Sequence, residues 1–188
     1  QIDLIEVSHK GLRAISQDII EENFSDTSVY RDITNYIFSH REYLRCIDYI
    51  LKMYGKLFIP INNLEFIELL IERYSDKYKI GTITGEGYWS SEEGMVSLER
   101  LKELIAENKI RLLLTSSSGF KGIDFRGMPN ALVTLGTKAS TVIQYIGRVA
   151  RQNKFKVFVI TPGGQWKLPI YSKHISTQLN LITSYYEN

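Results

Sequence analysis

Cysteine is nearly absent: Cys46 is the single thiol among 188 residues, which excludes an internal disulfide and fits a reducing compartment. Long apolar runs are absent too. No stretch approaches the roughly 18 residues that suggest a membrane-spanning helix, and the opening QIDLIEVSHKG has neither a signal peptide's apolar centre nor an initiating Met. Gln1 is therefore expected to be the cut end of a longer chain, and no membrane partner is expected. His9, His40 and His174 are scattered and, with one cysteine, make no metal-ligand spacing, so no metal site is expected. Ser116, Ser117 and Ser118 lack the His and acid pattern of a hydrolase triad. A Gly-x-x-x-x-Gly-Lys-[Ser/Thr] loop is missing, and with it the backbone cradle that such loops offer to nucleotide phosphates. There is no internal repeat and no low-complexity tract. What remains has the apolar and charged fractions of a globular domain large enough to bury a core without crosslinks.

The most informative stretch is 110–151, IRLLLTSSSGFKGIDFRGMPNALVTLGTKASTVIQYIGRVAR. An apolar run of strand length breaks into Thr115-Ser116-Ser117-Ser118-Gly119, a turn rich in the hydroxyl and N-H donors that anionic oxygens need. Gly122-Ile123-Asp124 follows, a glycine that permits close backbone approach beside a carboxylate. A second apolar run leads into a helical segment carrying Gly147, Arg148 and Arg151, and residues three apart project from one helix face. Charge is concentrated here. Residues 109–156 hold nine Lys and Arg against one acid, Asp124, so this window carries +8 and the rest of the chain about −6.

Apolar periodicity orders the remainder. Residues 1–27 show short apolar stretches and are expected to be the tail of a linker. From Ser28 the pattern is helical, with Tyr30, Ile33 and Ile37 on one face. A second helix is expected to start at a Ser39-x-x-Glu42 capping box, bury Leu44, Ile47, Leu51 and Tyr54, and stop at Gly55. Strands are predicted over 56–61, 78–84, 110–115, 131–136 and 155–161, and helices after Asn62-Asn63, over 95–108 and over 141–151. Thr84-Gly85-Glu86-Gly87 reads as a turn. After the loop at 162–165 comes a polar, aromatic helix candidate over 171–186. Alternating strands and helices make an α/β fold, a parallel sheet of about five strands with helices on both faces, preceded by two helices and followed by one. The expected division is 1–55 for the linker and N-terminal helices, 56–161 for the core and 162–188 for the C-terminal loop and helix. Ligands then belong at the carboxyl ends of strands, where Thr84-Gly85, Thr115 and Gly136 fall.

Thr115, Gly122-Ile123-Asp124 and Gln144-Tyr145-Ile146-Gly147-Arg148-Val149-Ala150-Arg151 together resemble motifs V and VI of superfamily 2 helicases and translocases, in the second of their two RecA-like domains. The resemblance covers 56–156. Gln144-Tyr145 stands where the DEAD-box form begins His-Arg, and the motif is closer to that of repair, phage-recombination and viral transcription-associated helicases. Lys121 stands where many relatives carry Arg. Ser97 falls near the place of an arginine common in relatives, and Arg100 is out of register with it.

The resemblance implies a second motor domain of an ATP-dependent helicase. Arg148 and Arg151 would face the ATP gamma-phosphate, where a planar, permanently charged fork stabilises charge developing on the transferred group. Gln144 would touch the nucleotide or the first domain, and Asp124 beside Gly122 would meet the ribose or the arginines. Thr84, Gly85, Thr115 and Ser116, with Lys121, would hold the backbone of DNA or RNA, a contact that positions a strand without reading its sequence. Arg126 and Lys138 would extend the same electrostatic track. Neither a P-loop nor an Asp-Glu-x-His or Asp-Glu-Ala-Asp box is present, so the phosphate cradle and Mg2+ ligands are expected on a first RecA-like domain, and this chain alone is expected to be inactive. The alternative is a binding module that kept the fold and lost the motor. The resemblance implies an intracellular place, cytoplasmic or nucleoid/nuclear. Plentiful Tyr, Ile, Asn and Lys suit an AT-rich genome such as that of some viruses, so a virus-associated protein is among those expected.

Overall fold

The computed structural model describes residues 2–15, 30–61, 63–116, 127–134 and 155–161. The helices expected over 141–151 and 171–186 lie outside the described residues, as do Lys121, Gly122, Asp124, Gln144, Arg148 and Arg151. Eight strands are β1 (Ile2–Val7), β2 (Leu57–Pro60), β3 (Ile80–Thr84), β4 (Gly87–Ser90), β5 (Gly94–Val96), β6 (Leu112–Thr115), β7 (Asn130–Val133) and β8 (Phe155–Ile160). Among the described residues the labelled helices are α1 (Tyr30–Ser39), α2 (Arg41–Tyr54), α3 (Leu64–Tyr74) and α4 (Leu98–Ala106), and residues 11–15 are also helical.

One sheet holds all eight strands in the order β1-β8-β7-β2-β6-β3-β4-β5. Its centre is the five strands that the apolar runs predicted, β8-β7-β2-β6-β3, all parallel. Two additions take the count from about five to eight. At one edge β1 pairs in parallel with β8, from Ile2 opposite Phe155 to Val7 opposite Ile160, so a strand occupies sequence expected to be linker. At the other edge β4 and β5 form an antiparallel hairpin on β3. The helix expected over 95–108 is correspondingly shorter, because residues 94–96 are spent on β5 and Ser97 caps α4 through its hydroxyl.

The central strands are buried on both faces, which is why β2 and β6 read as unbroken apolar runs rather than alternating ones. Alternate residues feed two cores. Leu112 and Leu114 face the larger one, built with Ile47, Leu51, Phe66 and Leu70 from α2 and α3; Leu113 and Ile83 face the smaller one with Leu101, Leu104 and Ile105 of α4. Phe38 stacks on Phe66 at 4.2 Å between centroids and 15° between planes, fixing α1 to α3.

Cap chemistry sets the helix ends. The N-cap of α2 is His40, not Ser39: Nδ1 of His40 accepts from the Glu42 amide at 3.1 Å, while the Ser39 hydroxyl donates back to the Tyr36 carbonyl. Glu42 is thereby freed from the expected capping box. Its side chain is buried and takes Arg41 Nε at 3.2 Å and Arg45 Nη1 at 3.3 Å. Gly55 ends α2 at φ +83°, a backbone conformation that a Cβ would strain. Asn63 caps α3, its Oδ1 accepting from the Phe66 amide.

Candidate nucleic-acid interface

Because the strands from β1 to β3 across the sheet run parallel, their carboxyl ends lie along one edge, the edge where open α/β sheets bind ligands. Thr84 ends β3 and Thr115 ends β6, and these two strands are neighbours with Ile83 opposite Thr115. The amide of Ser116 donates to the Ile83 carbonyl at 2.9 Å, extending the ladder one residue and setting Ser116 next to Thr84.

Strand alternation then separates the predicted residues. Ser116 follows Leu112 and Leu114 onto the α3 face, and Thr84 follows Thr82 onto the same face. Thr115 follows Leu113 onto the opposite face, that of α4, and is completely buried. The structure therefore brings Thr84, Gly85 and Ser116 together and turns the Thr115 side chain away from them.

Thr84, Gly85 and Ser116 line a cleft of about 500 Å³ between α3 and the β4–β5 hairpin. Thr84 Oγ1 accepts from the Glu86 amide at 3.2 Å, which holds the turn in shape. Gly87 leaves the turn at φ +123°. Asn63 also lines the cleft, where the first turn of α3 presents the positive end of its dipole. The other wall is Trp89 and Met95, directly opposite each other across β4 and β5. Neither was visible as a site residue in the sequence. The signal was an aromatic pair, Tyr88-Trp89, between Gly87 and Gly94, the composition of a hairpin.

Part of the basic window serves the fold. Arg111 donates from Nη2 to the Leu51 carbonyl at the end of α2 at 2.5 Å, and its guanidinium lies 5.0 Å from the centre of the Tyr78 ring. Lys109 pairs with Glu107 at 3.1 Å. Outside that window, Arg100 bridges the hairpin and α4, with Nε 3.0 Å from Glu93 and Nη1 3.0 Å from Glu103. Among the described residues no three His, Cys, Asp or Glu side chains group to hold a metal ion, and no helix is long and apolar enough to cross a membrane.

No family model and no curated protein matches this sequence. Solved structures do. T4 UvsW superposes over 100% of this chain and 39% of its own length with a TM-score of 0.63 at 14% identity. The C-terminal domain of the DEAD-box protein Dbp5 covers 98% of this chain and 85% of its own, with a TM-score of 0.56 at 16% identity. The Sulfolobus solfataricus SWI2/SNF2 ATPase core in complex with dsDNA gives 0.53 at 11% identity over 99% of this chain and 49% of its own. This chain thus spans less than half of the UvsW and SWI2/SNF2 chains. At such identities the likeness is one of architecture: this chain shares its α/β fold with the C-terminal domain of Dbp5, with UvsW and with the SWI2/SNF2 ATPase core.

Proposed function

We propose that this chain is the second motor domain of an ATP-dependent nucleic-acid helicase or translocase. One observation carries the reading: Gln144-x-x-Gly147-Arg148-x-x-Arg151 falls in the segment joining β7 to β8 of a fold shared with helicase C-terminal domains. A binding module has no use for two arginines at that spacing. In this reading Arg148 and Arg151 stabilise charge on the transferred phosphoryl group of ATP, Gln144 meets the nucleotide or the first domain, and Gly122-Ile123-Asp124 approaches the ribose. The Mg2+ that accompanies ATP and the cradle for its phosphates belong to the first RecA-like domain. Closure of the two domains on ATP and reopening after hydrolysis would ratchet them along a strand.

The strand would lie across the cleft mouth. Ser116, Thr84 and the Gly85 backbone offer hydroxyl and N-H donors to phosphate oxygens, and Lys121 adds charge to the same track. Thr115 supports this track from beneath, since its side chain is sealed on the α4 face. That the SWI2/SNF2 neighbour was solved with dsDNA supports a nucleic-acid partner. The test is nucleic-acid-stimulated phosphate release. The 188-residue chain alone should show none, and the same chain joined to a P-loop RecA-like domain should show it; turnover by the chain alone contradicts the shared site.

A further inference from the structure

The cleft that holds Thr84, Gly85 and Ser116 has a second half whose chemistry does not suit phosphate. Its walls are apolar and open to water: Leu64 at the start of α3 is 61% exposed and Met95 on β5 is 63% exposed. Register explains the arrangement. Thr82, Trp89 and Met95 form one row across β3, β4 and β5, so the indole and the thioether stand side by side on the face that carries Thr84 and Ser116. A Cβ built on Gly87 would lie 3.0 Å from Met95 Cε, so the Met95 side chain is folded over the turn as one lip of the cleft. The charged side chains lining the cleft are Glu68 and Glu86, both acids. Glu68 lies on α3 and Glu86 adjoins Gly85 in the turn. They accept hydrogen bonds from a neutral group that carries amino donors.

We propose that this half of the cleft takes a base of a single-stranded nucleic acid, stacked on Trp89 between Leu64 and Met95, with Glu68 or Glu86 accepting from its exocyclic amino group. The proposal rests on the reading that the cleft holds the strand's backbone, with Thr84 and Gly85 at its exposed turn. Phosphates then stay on the hydroxyl side, and one base turns inward past the acids. At about 500 Å³ the whole cleft falls in the size range of sites that enclose small ligands. Sequence-tolerant stacking on an aromatic face is the usual way single strands are gripped, and the carboxylates add a preference for bases with an amino group over thymine.

The test uses the 188-residue chain with Trp166→Phe, which leaves Trp89 as the one indole. Oligo(dA), oligo(dC) and oligo(dT) of one length are titrated against an abasic sugar-phosphate strand of that length. The proposal predicts quenching of Trp89 by the base-bearing strands, weaker by roughly tenfold or more for the abasic one, as expected for losing one base–aromatic stack. Trp89→Ala should lower affinity for base-bearing strands by a similar factor and leave the abasic strand unchanged, while Trp89→Phe keeps most of it. Glu68→Ala with Glu86→Ala, which removes both acceptors, should erase the advantage of dA and dC over dT. Equal affinity for abasic and base-bearing strands overturns the base site and leaves the backbone track standing. Failure of every strand to bind overturns both. Quenching by a leucine- and lysine-rich peptide that oligo(dA) cannot displace would give the cleft to a protein partner and overturn the proposal.

Discussion

Thr115 and Ser116 are adjacent in sequence and face opposite sides of the sheet: Ser116 lines the cleft beside Thr84, and Thr115 is sealed beneath it against the α4 core. Two hydroxyls that look equivalent should therefore respond differently to deletion. Ser116→Ala should weaken single-strand binding about two- to tenfold, the value of one modest hydrogen bond. Thr115→Val should instead act on the fold, costing about 1–3 kcal/mol of stability, because it alters a polar group in a fully buried site. Binding isotherms and thermal melts of both variants decide it; loss of binding confined to Thr115→Val would reverse the assignment.

Cys46 and Tyr43 give the fold an alkaline limit. Burial first, then the charges of Glu42 and Asp48, push the Cys46 thiol up to about 12 from an ordinary 9.0, and burial raises the Tyr43 phenol as well. Both groups stay protonated in the folded chain at pH values where the unfolded chain ionises. Their contribution to stability is complete below pH 9 and is lost as pH rises toward 12. The urea midpoint should fall steadily above pH 9, and a thiol reagent at pH 8 should label Cys46 only after unfolding. Rapid labelling of the native chain would contradict the buried placement of this thiol.

At the acid end the tested group is Asp48. Burial alone would raise its carboxyl, but Arg73 donates to it at 3.1 and 2.6 Å, Tyr74 donates at 2.5 Å, and the charges of Arg73 and Lys77 add to them. The net effect holds Asp48 below the usual carboxylate range. Its contribution is present above the unfolded value and disappears as pH falls through the lowered one. Asp48→Asn should remove that part of the acid limb at a cost under about 1 kcal/mol at pH 7, since the pair is partly exposed. A variant with an unchanged stability profile from pH 2 to 5 would show that the pair does not couple to folding.

The central sheet was legible in the sequence because β2, β3, β6, β7 and β8 are buried on both faces and so appear as compact apolar runs. The edges were not. In β1, Leu4 is 47% exposed and the apolar pattern is broken by Asp3 and Glu6, so nothing local marks a strand until β8 is there to pair with it. The β4–β5 hairpin has one aromatic pair and a Ser-Ser-Glu-Glu turn, and its Met95-Val96 end was absorbed into the helix that follows. Missing the hairpin hid Trp89, Met95 and half of the cleft. The capping box failed for a different reason: His40 satisfies the same backbone donor one residue later, and sequence spacing alone does not choose between them. Thr84, Gly85 and Ser116 were found because glycine and hydroxyls at strand ends are local signals, whereas which way Thr115 faces depends on register with β3.

Salt should report how many cations reach a strand. Of the nine Lys and Arg in 109–156, Lys109 and Arg111 are engaged within the fold, and Arg148 and Arg151 are assigned to ATP. About three contacts among the rest would give a log-log slope near −2, at roughly 0.7 per neutralised phosphate of a single strand. Fluorescence anisotropy from 50 to 300 mM salt measures it. A slope near −6 would mean that most of the window faces the strand and that the assigned arginines are not reserved for nucleotide.

The central claim is that Arg148 and Arg151 complete an ATP site shared with a first RecA-like domain. The measurement is the nucleic-acid-stimulated ATPase rate of the protein carrying both domains, compared with Arg148→Ala, Arg151→Ala and the corresponding lysine variants, alongside nucleotide affinity. Each alanine variant should lose on the order of 10³ in rate, with nucleotide binding much less affected, because the interaction belongs to the transition state. Lysine should not restore the rate, since a point charge does not replace the planar fork. Small and equal losses in both alanine variants, or full activity with lysine, would contradict the claim.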